Sequence, residues 1–384
     1  MLEKISRQMM NAVLLVLIAN HLSVDLFSKY NLLLVNFALL SPLIYFVQEA
    51  ILINVAHSRK KMRLFLSFQT ISTIFCLVGM IALKIELFYY IIWIIPLTLF
   101  RKFEYVRFEN FVNNHPNNNG LIDLVSYFLI LPLKFISIYY SNINLLIMCV
   151  MLDYIIPSIV CFLLEAKENK IYLKDFRIIR LTSRFLKFSI IISFLCLPAL
   201  LSGVLQAFGT RYTLSVAESE LELVALGALF LAVRLSDFFI NGLNIFVPLI
   251  QVKFKFQEKN LKYRIGFIIK TASAIVFAAV VCSPLINVVG DRVFPIYWYE
   301  IEKSQLFLLS MIVLMSANII INITHYEKSQ TGVLLIKSIV LVLIMFTGLF
   351  GFVNISLTAV LALFSIAYLI QLVVSFGVLC VSDR

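Results

Sequence analysis

Residues 231–244 read LAVRLSDFFINGLN, a charge pair and two asparagines inside a long apolar run. At about 100° per residue, Arg234, Asp237, Asn241, Asn244 and Pro248 fall within an arc of about 80° on a helix. A charged group in a bilayer is expensive, so such a stripe either docks its helix through an ion pair or lines a cavity. Four polar groups on one face exceed what one docking pair needs, which favours a cavity wall. A guanidinium also holds a phosphate bidentately, which an ammonium cannot. As a cavity wall the stripe could bind an anion through Arg234, with Asp237, Asn241 and Asn244 beside it; as a docking pair it would only hold helices together.

Other apolar runs carry candidates of their own. Glu49 follows Tyr45 by one helical turn, too deep for its short side chain to reach water. It suits either a coupling-ion carrier or a structural hydrogen bond. His21 and Asp25 are also one turn apart, and Asp25 reads as a surface group. Lys134 and Asp153 fall at similar depths on either side of residues 141–144. They suit a pair across a hairpin, and Asp153 is the second candidate for coupling. Lys270 and Lys337 lie near helix ends, where long side chains snorkel to water. Each also suits the border of a cavity, and Lys270 is counted with the substrate-binding group. FPIYWYE (294–300) reads as an interfacial aromatic belt or as a sugar-stacking platform.

The elements that must position these groups are set by composition. Of 384 residues, 61% are hydrophobic and 14% charged. A soluble domain has about 45–50% apolar and about 25% charged residues, so this chain is of the membrane class. A crossing helix needs roughly 20 apolar residues. Candidate spans are 10–27, 31–56, 65–83, 86–103, 121–140, 145–165, 187–208, 220–250, 265–289, 306–324, 333–352 and 357–381. The eighth is overlong and must tilt, bend at Pro248 or project from the membrane. The basic start of MLEKISRQMMNAVLLVLIANHL leads into an apolar stretch without a small-residue cleavage site. It reads as a retained first helix.

With the N-terminus in the cytoplasm, most of the 32 Lys and Arg fall on the inner side, in segments such as SRKKMR (58–63) and VKFKFQEKNLKYR (252–264). Outside lie Lys29, Lys84, Arg211, Arg292 and Lys303. That asymmetry sets the orientation, with both termini cytoplasmic. The net charge of +11 is then mostly topological, and no nucleic-acid partner is implied. The connection 166–186 divides the chain into six helices and six, giving halves 1–180 and 181–384. The expected fold is all-α and polytopic, with about twelve spans in two six-helix halves around a central cavity.

Several chemistries find no support. The six cysteines lie in apolar segments without a CxxC pair, and the four histidines are scattered. A disulfide framework or metal site is therefore not expected. No GxxxxGK[ST] loop is present for an ATPase, and no cofactor is implied.

Two stretches resemble the O-antigen flippases of the multidrug/oligosaccharidyl-lipid/polysaccharide exporter superfamily. Residues 187–250, from KFSIIISFLCLP to NIFVPLI, look like that family's seventh and eighth helices. PLINVVGDRVFPIYWYEIEKSQLFLLSMIVL (284–314) looks like its glycine-containing outer turn, here at Gly290. The resemblance implies a cavity that opens alternately to the two faces of a bacterial inner membrane. The implied cargo is a polyprenyl-pyrophosphate-linked oligosaccharide moving to the periplasmic leaflet. Arg234 fits the cationic lumen residues that accommodate its diphosphate. Membrane lipids, a polysaccharide polymerase and glycosyltransferases of the same pathway are the implied partners. Two other readings stay open. An O-antigen polymerase or other membrane glycosyltransferase would need a large outer loop with catalytic groups, and none is found, so no enzyme is expected. A cation-coupled drug antiporter would favour an acidic cavity.

Overall fold

A computed structural model describes residues 2–44, 81, 116–169, 183–254, 261–327, 331–351 and 355–382. Glu49 and nearly all of the candidate spans 65–83 and 86–103 lie outside them. Every regular element among the described residues is a helix. In hydrocarbon each backbone N–H and C=O must be paired internally, and a helix does this within one segment. The helices are α1 (Leu2–His21), α2 (Val24–Ile44), α3 (Pro116–Tyr139), α4 (Ile143–Asn169), α5 (Ser183–Glu220) and α6 (Leu223–Phe254). They continue with α7 (Leu261–Val293), α8 (Pro295–Glu302), α9 (Gln305–Glu327), α10 (Thr331–Gly351) and α11 (Leu357–Ser382).

Four described helices carry stretches long and apolar enough to cross a bilayer: Leu223–Ile240, Gln305–Asn322, Gly332–Gly351 and Leu357–Cys380. A fifth is the bent pair Ile265–Val281 and Ile286–Val293, turned by 57° around Pro284. A proline removes one ladder hydrogen bond and crowds the preceding turn, which bends the helix there. The protein is a multi-pass, all-α membrane protein.

The first turn differs from the expected one. The span anticipated at 10–27 is interrupted at Leu22–Ser23, where α1 ends and α2 begins. Ser23 Oγ accepts the Leu26 N–H at 3.3 Å, and Asp25 sits in the first turn of α2. An N-cap hydroxyl and an early carboxylate both favour a helix start. Asn31 therefore lies in the second turn of α2, not at its beginning. Elsewhere the helices overrun the apolar stretches. α5 extends to Glu220, so Arg211 lies within it, and α6 runs unbroken through Pro248 to Phe254.

Packing divides the chain into two compact units. One joins Gln8–Val35 to Leu201–Arg384, and the other joins Leu2–Arg7 to Asn36–Leu200. In the second unit α3 and α4 form a hairpin. Ser141 takes φ of 50°, and the Asn142 N–H reaches the Ser137 carbonyl at 2.9 Å. Asn142 Oδ1 then accepts the Leu145 N–H at 3.0 Å and starts α4. Across this hairpin Lys134 and Asp153 form a buried ion pair, and the ammonium also lies 4.3 Å from the centre of the Tyr127 ring.

In the first unit α9 is central, packed against α6, α7, α10 and α11. The short helix α8 occupies part of what sequence placed as the outer loop. Its Tyr297 and Trp298 are 1% and 2% exposed, so they serve neither as a belt nor as a sugar platform. Tyr297 stacks on Phe27 at 5.1 Å between centroids and lies against Gly227 of α6. A Cβ on Gly227 would stand 2.5 Å from Tyr297 Cε1, and one on Gly290 would stand 2.1 Å from Trp298 Cε2. Gly290 thus lies in the last turns of α7, not in a loop. Its lack of a side chain admits the indole. Burial pushes the Tyr297 hydroxyl up to about 12, so this phenol stays protonated.

Candidate functional site

Arg234 and Asp237 lie one turn apart on α6, as the spacing requires. Their closest charged atoms, Arg234 Nη1 and Asp237 Oδ2, are 3.8 Å apart, beyond hydrogen-bond length. Their side chains are 28% and 45% exposed. The pair is therefore loose and accessible, unlike Lys134 and Asp153, whose side chains are 4% and 9% exposed.

The partner that fixes Arg234 is Asn31 of α2, whose Oδ1 accepts the Arg234 Nε–H at 2.9 Å. Asn31 is 1% exposed, and its Nδ2 donates to the Phe27 carbonyl at 2.8 Å. That second bond sets which way the carboxamide faces, so its oxygen meets the arginine. A guanidinium has five N–H donors in a planar fork. Asn31 takes the Nε–H, and no hydrogen bond to the four Nη donors is made among the described residues. The arginine is held by its inner edge, while its outer, bidentate edge carries only the loose contact with Asp237. This is the arrangement that grips a phosphate or carboxylate.

Asn241 and Asn244 continue the same face of α6 by spacing, and their side chains lie outside the described residues. Lys270 is exposed on α7 and is not joined to Arg234 or Asp237 by a hydrogen bond or ion pair among the described residues. Asp153 belongs to the other unit and is engaged by Lys134. Asn31 was not singled out by sequence. The available signal was an asparagine at the start of the apolar run YNLLLV, which must find a partner if buried.

A second polar cluster also escapes the sequence reading. Lys337 does not snorkel: it is 3% exposed, inside the bundle of α9, α10 and α11. Its Nζ donates to Asn322 Oδ1 at 2.7 Å, and its own carbonyl accepts Gln371 Nε2 at 3.0 Å. Asn318, one turn before Asn322, donates to the Tyr368 carbonyl at 2.8 Å. These amides tie α9, α10 and α11 together where hydrophobic contact alone gives little specificity in lipid.

No family model matches the sequence, and no curated protein matches it. The fold does match a solved structure, described as the inward-facing conformation of a multidrug resistance transporter of the MATE family in the MOP superfamily. The match covers 100% of this chain and 98% of that one, with a TM-score of 0.60 and 15% sequence identity. The two chains share a fold over their full lengths, which agrees with the expected polytopic architecture and a count of about twelve spans.

Proposed function

We propose that this protein is a membrane transporter that works by alternating access. Its cargo is a lipid-linked oligosaccharide, carried from the cytoplasmic to the outer leaflet of a bacterial inner membrane. The single observation that carries the cargo class is Arg234, pinned by Asn31 while its Nη donors make only a loose ion pair with Asp237. A polyprenyl-pyrophosphate headgroup presents the paired anionic oxygens that such an edge binds. The full-length likeness to a transporter of the MOP superfamily supports the transport cycle. Asp237 stands beside the site as the group that relaxes the arginine when cargo leaves. Asn241, Asn244 and Lys270 extend the proposed contact surface, and Glu49 and Asp153 are the proposed coupling carboxylates.

A second reading has an observation of its own. The fold match is to a multidrug resistance transporter, and Asp237 offers a half-exposed carboxylate to a cationic drug. Sealed vesicles carrying the purified protein separate the two. Flipping of a fluorescent diphosphate-linked glycolipid, read by protection from an impermeant quencher, supports the first reading. Pumping of a cationic dye under an imposed pH or sodium gradient, without glycolipid flipping, replaces it with the second.

A further inference from the structure

We propose that a groove between α7 and α11 is a binding site for one acyl chain of an anionic phospholipid, with the headgroup held by Lys262 and Lys270. The two helices flank α9 and barely touch each other. The space left between them is a cleft of about 520 Å3. Ile269, Val276 and Val280 of α7 form one wall, Leu372 and Phe376 of α11 the other, and Ala317 of α9 the floor. Nearest the start of α7 the three helices are joined by a buried cluster of Ile268, Ile320, Ile321 and Leu379. A chain therefore enters from the side, past the exposed Ile269, rather than end-on.

Two observations identify the occupant. The first is length. The groove runs along α7 from Ile268 to Val280, about 18 Å at 1.5 Å per residue. Half of a bilayer's hydrocarbon core is about 15 Å deep. The groove thus fits a chain confined to one leaflet, and a tail long enough to reach through both would overrun it. This separates a phospholipid from the polyprenyl cargo.

The second observation is charge. Lys262 lies seven residues before Ile269, so it stands on the same face of α7 as the groove wall, toward the helix start. Lys270 adjoins Ile269 at the rim, and both lysines are exposed. Tyr263, also exposed, sits beside Lys262 at the level where aromatic rings favour the interface. By the distribution of basic residues this end of α7 faces the cytoplasm, where the leaflet is anionic. An acyl slot ending in two ammonium groups matches a phosphodiester headgroup of net negative charge. The site shares Lys270 with the outer part of the proposed cargo surface and otherwise lies away from Arg234 and Asp237, and its lipid readout does not depend on which cargo is carried.

The test uses the full chain, purified and stripped with a delipidating detergent, then titrated with phosphatidylglycerol or phosphatidylcholine and weighed by native mass spectrometry. One phosphatidylglycerol should remain bound per chain, preferred over phosphatidylcholine by about tenfold. Ala272→Trp, which fills the groove, should remove the bound lipid. Lys262→Gln with Lys270→Gln alters only exposed positions, so the fold stays intact, and it should abolish the headgroup preference. Graded binding of many lipids with no preference would mean an ordinary lipid annulus and overturn the proposal. So would a wild-type preference that survives the lysine substitutions.

Discussion

Asn31 holds Arg234 by the Nε edge at 2.9 Å, across 203 residues of sequence. Replacing Asn31 with Leu should therefore act through the arginine. It strips the inner partner, leaves a desolvated donor and frees the guanidinium to swing onto Asp237. Loss of a hydrogen bond to a charged group is worth about 1.5–3 kcal/mol, or about tenfold or more in function. Glycolipid flipping per unit of protein should fall by that factor. Flipping at the parental rate would remove Asn31 from the site.

Arg234→Ala should abolish transport at normal membrane abundance, and Arg234→Lys should restore part of it. The ammonium keeps the charge but loses the bidentate fork. The abundance control matters, because a purely structural arginine would lower membrane abundance in step with display, Ala leaving the buried Asn31 Oδ1 without its donor. Glycan display measured beside membrane abundance decides the point.

Gly227 and Gly290 predict a stability effect without a transport residue being touched. A methyl group at either position meets an aromatic ring of α8 at well under contact distance. Overpacking of this kind costs about 1–3 kcal/mol. Gly227→Ala should lower Tm in detergent, and combining it with Tyr297→Ala should cost less than the sum of the two changes. Strict additivity would mean that the glycine and the ring do not touch.

The Lys134 and Asp153 pair separates structure from coupling. Asp153→Asn leaves a buried ammonium without its counter-charge and should destabilise by about 3–5 kcal/mol. The double replacement Lys134→Met with Asp153→Leu should recover most of that. If the double variant also keeps its response to a pH gradient, Asp153 is not the coupling group. Glu49→Gln then becomes the decisive substitution.

Orientation is checked by single cysteines in a cysteine-free background. Impermeant reagent added from outside should modify the exposed positions 291, 292, 299 and 303 and spare those in 255–262. The reverse pattern would turn the proposed transport direction around.

Among the described residues, sequence periodicity located the apolar helices well, because a bilayer forces backbone bonds to close within each segment. It misplaced the first turn. The apolar run continues through Leu22, and the break depends on the Ser23 hydroxyl capping α2. It read Tyr297 and Trp298 as surface groups, because nothing in FPIYWYE tells that two glycines elsewhere have left room for their rings. Lys337 was misread for a related reason. Position near a helix end suggested escape to water, while Asn322 on another helix supplies the acceptor inside. The stripe on α6 was legible from spacing alone. The hand that holds it was not, because Asn31 lies on a different helix.

The Asn31–Arg234 bond has a consequence for biosynthesis. Asn31 leaves the ribosome 203 residues before its partner. During that interval α2 sits in the translocation apparatus or the bilayer with a carboxamide oxygen waiting for a donor. The first hairpin can finish folding only after α6 has been inserted, so assembly of this unit closes a loop from the beginning of the chain to its second half. Split between α4 and α5 and expressed as two polypeptides, the protein should regain stability only when both pieces are made together.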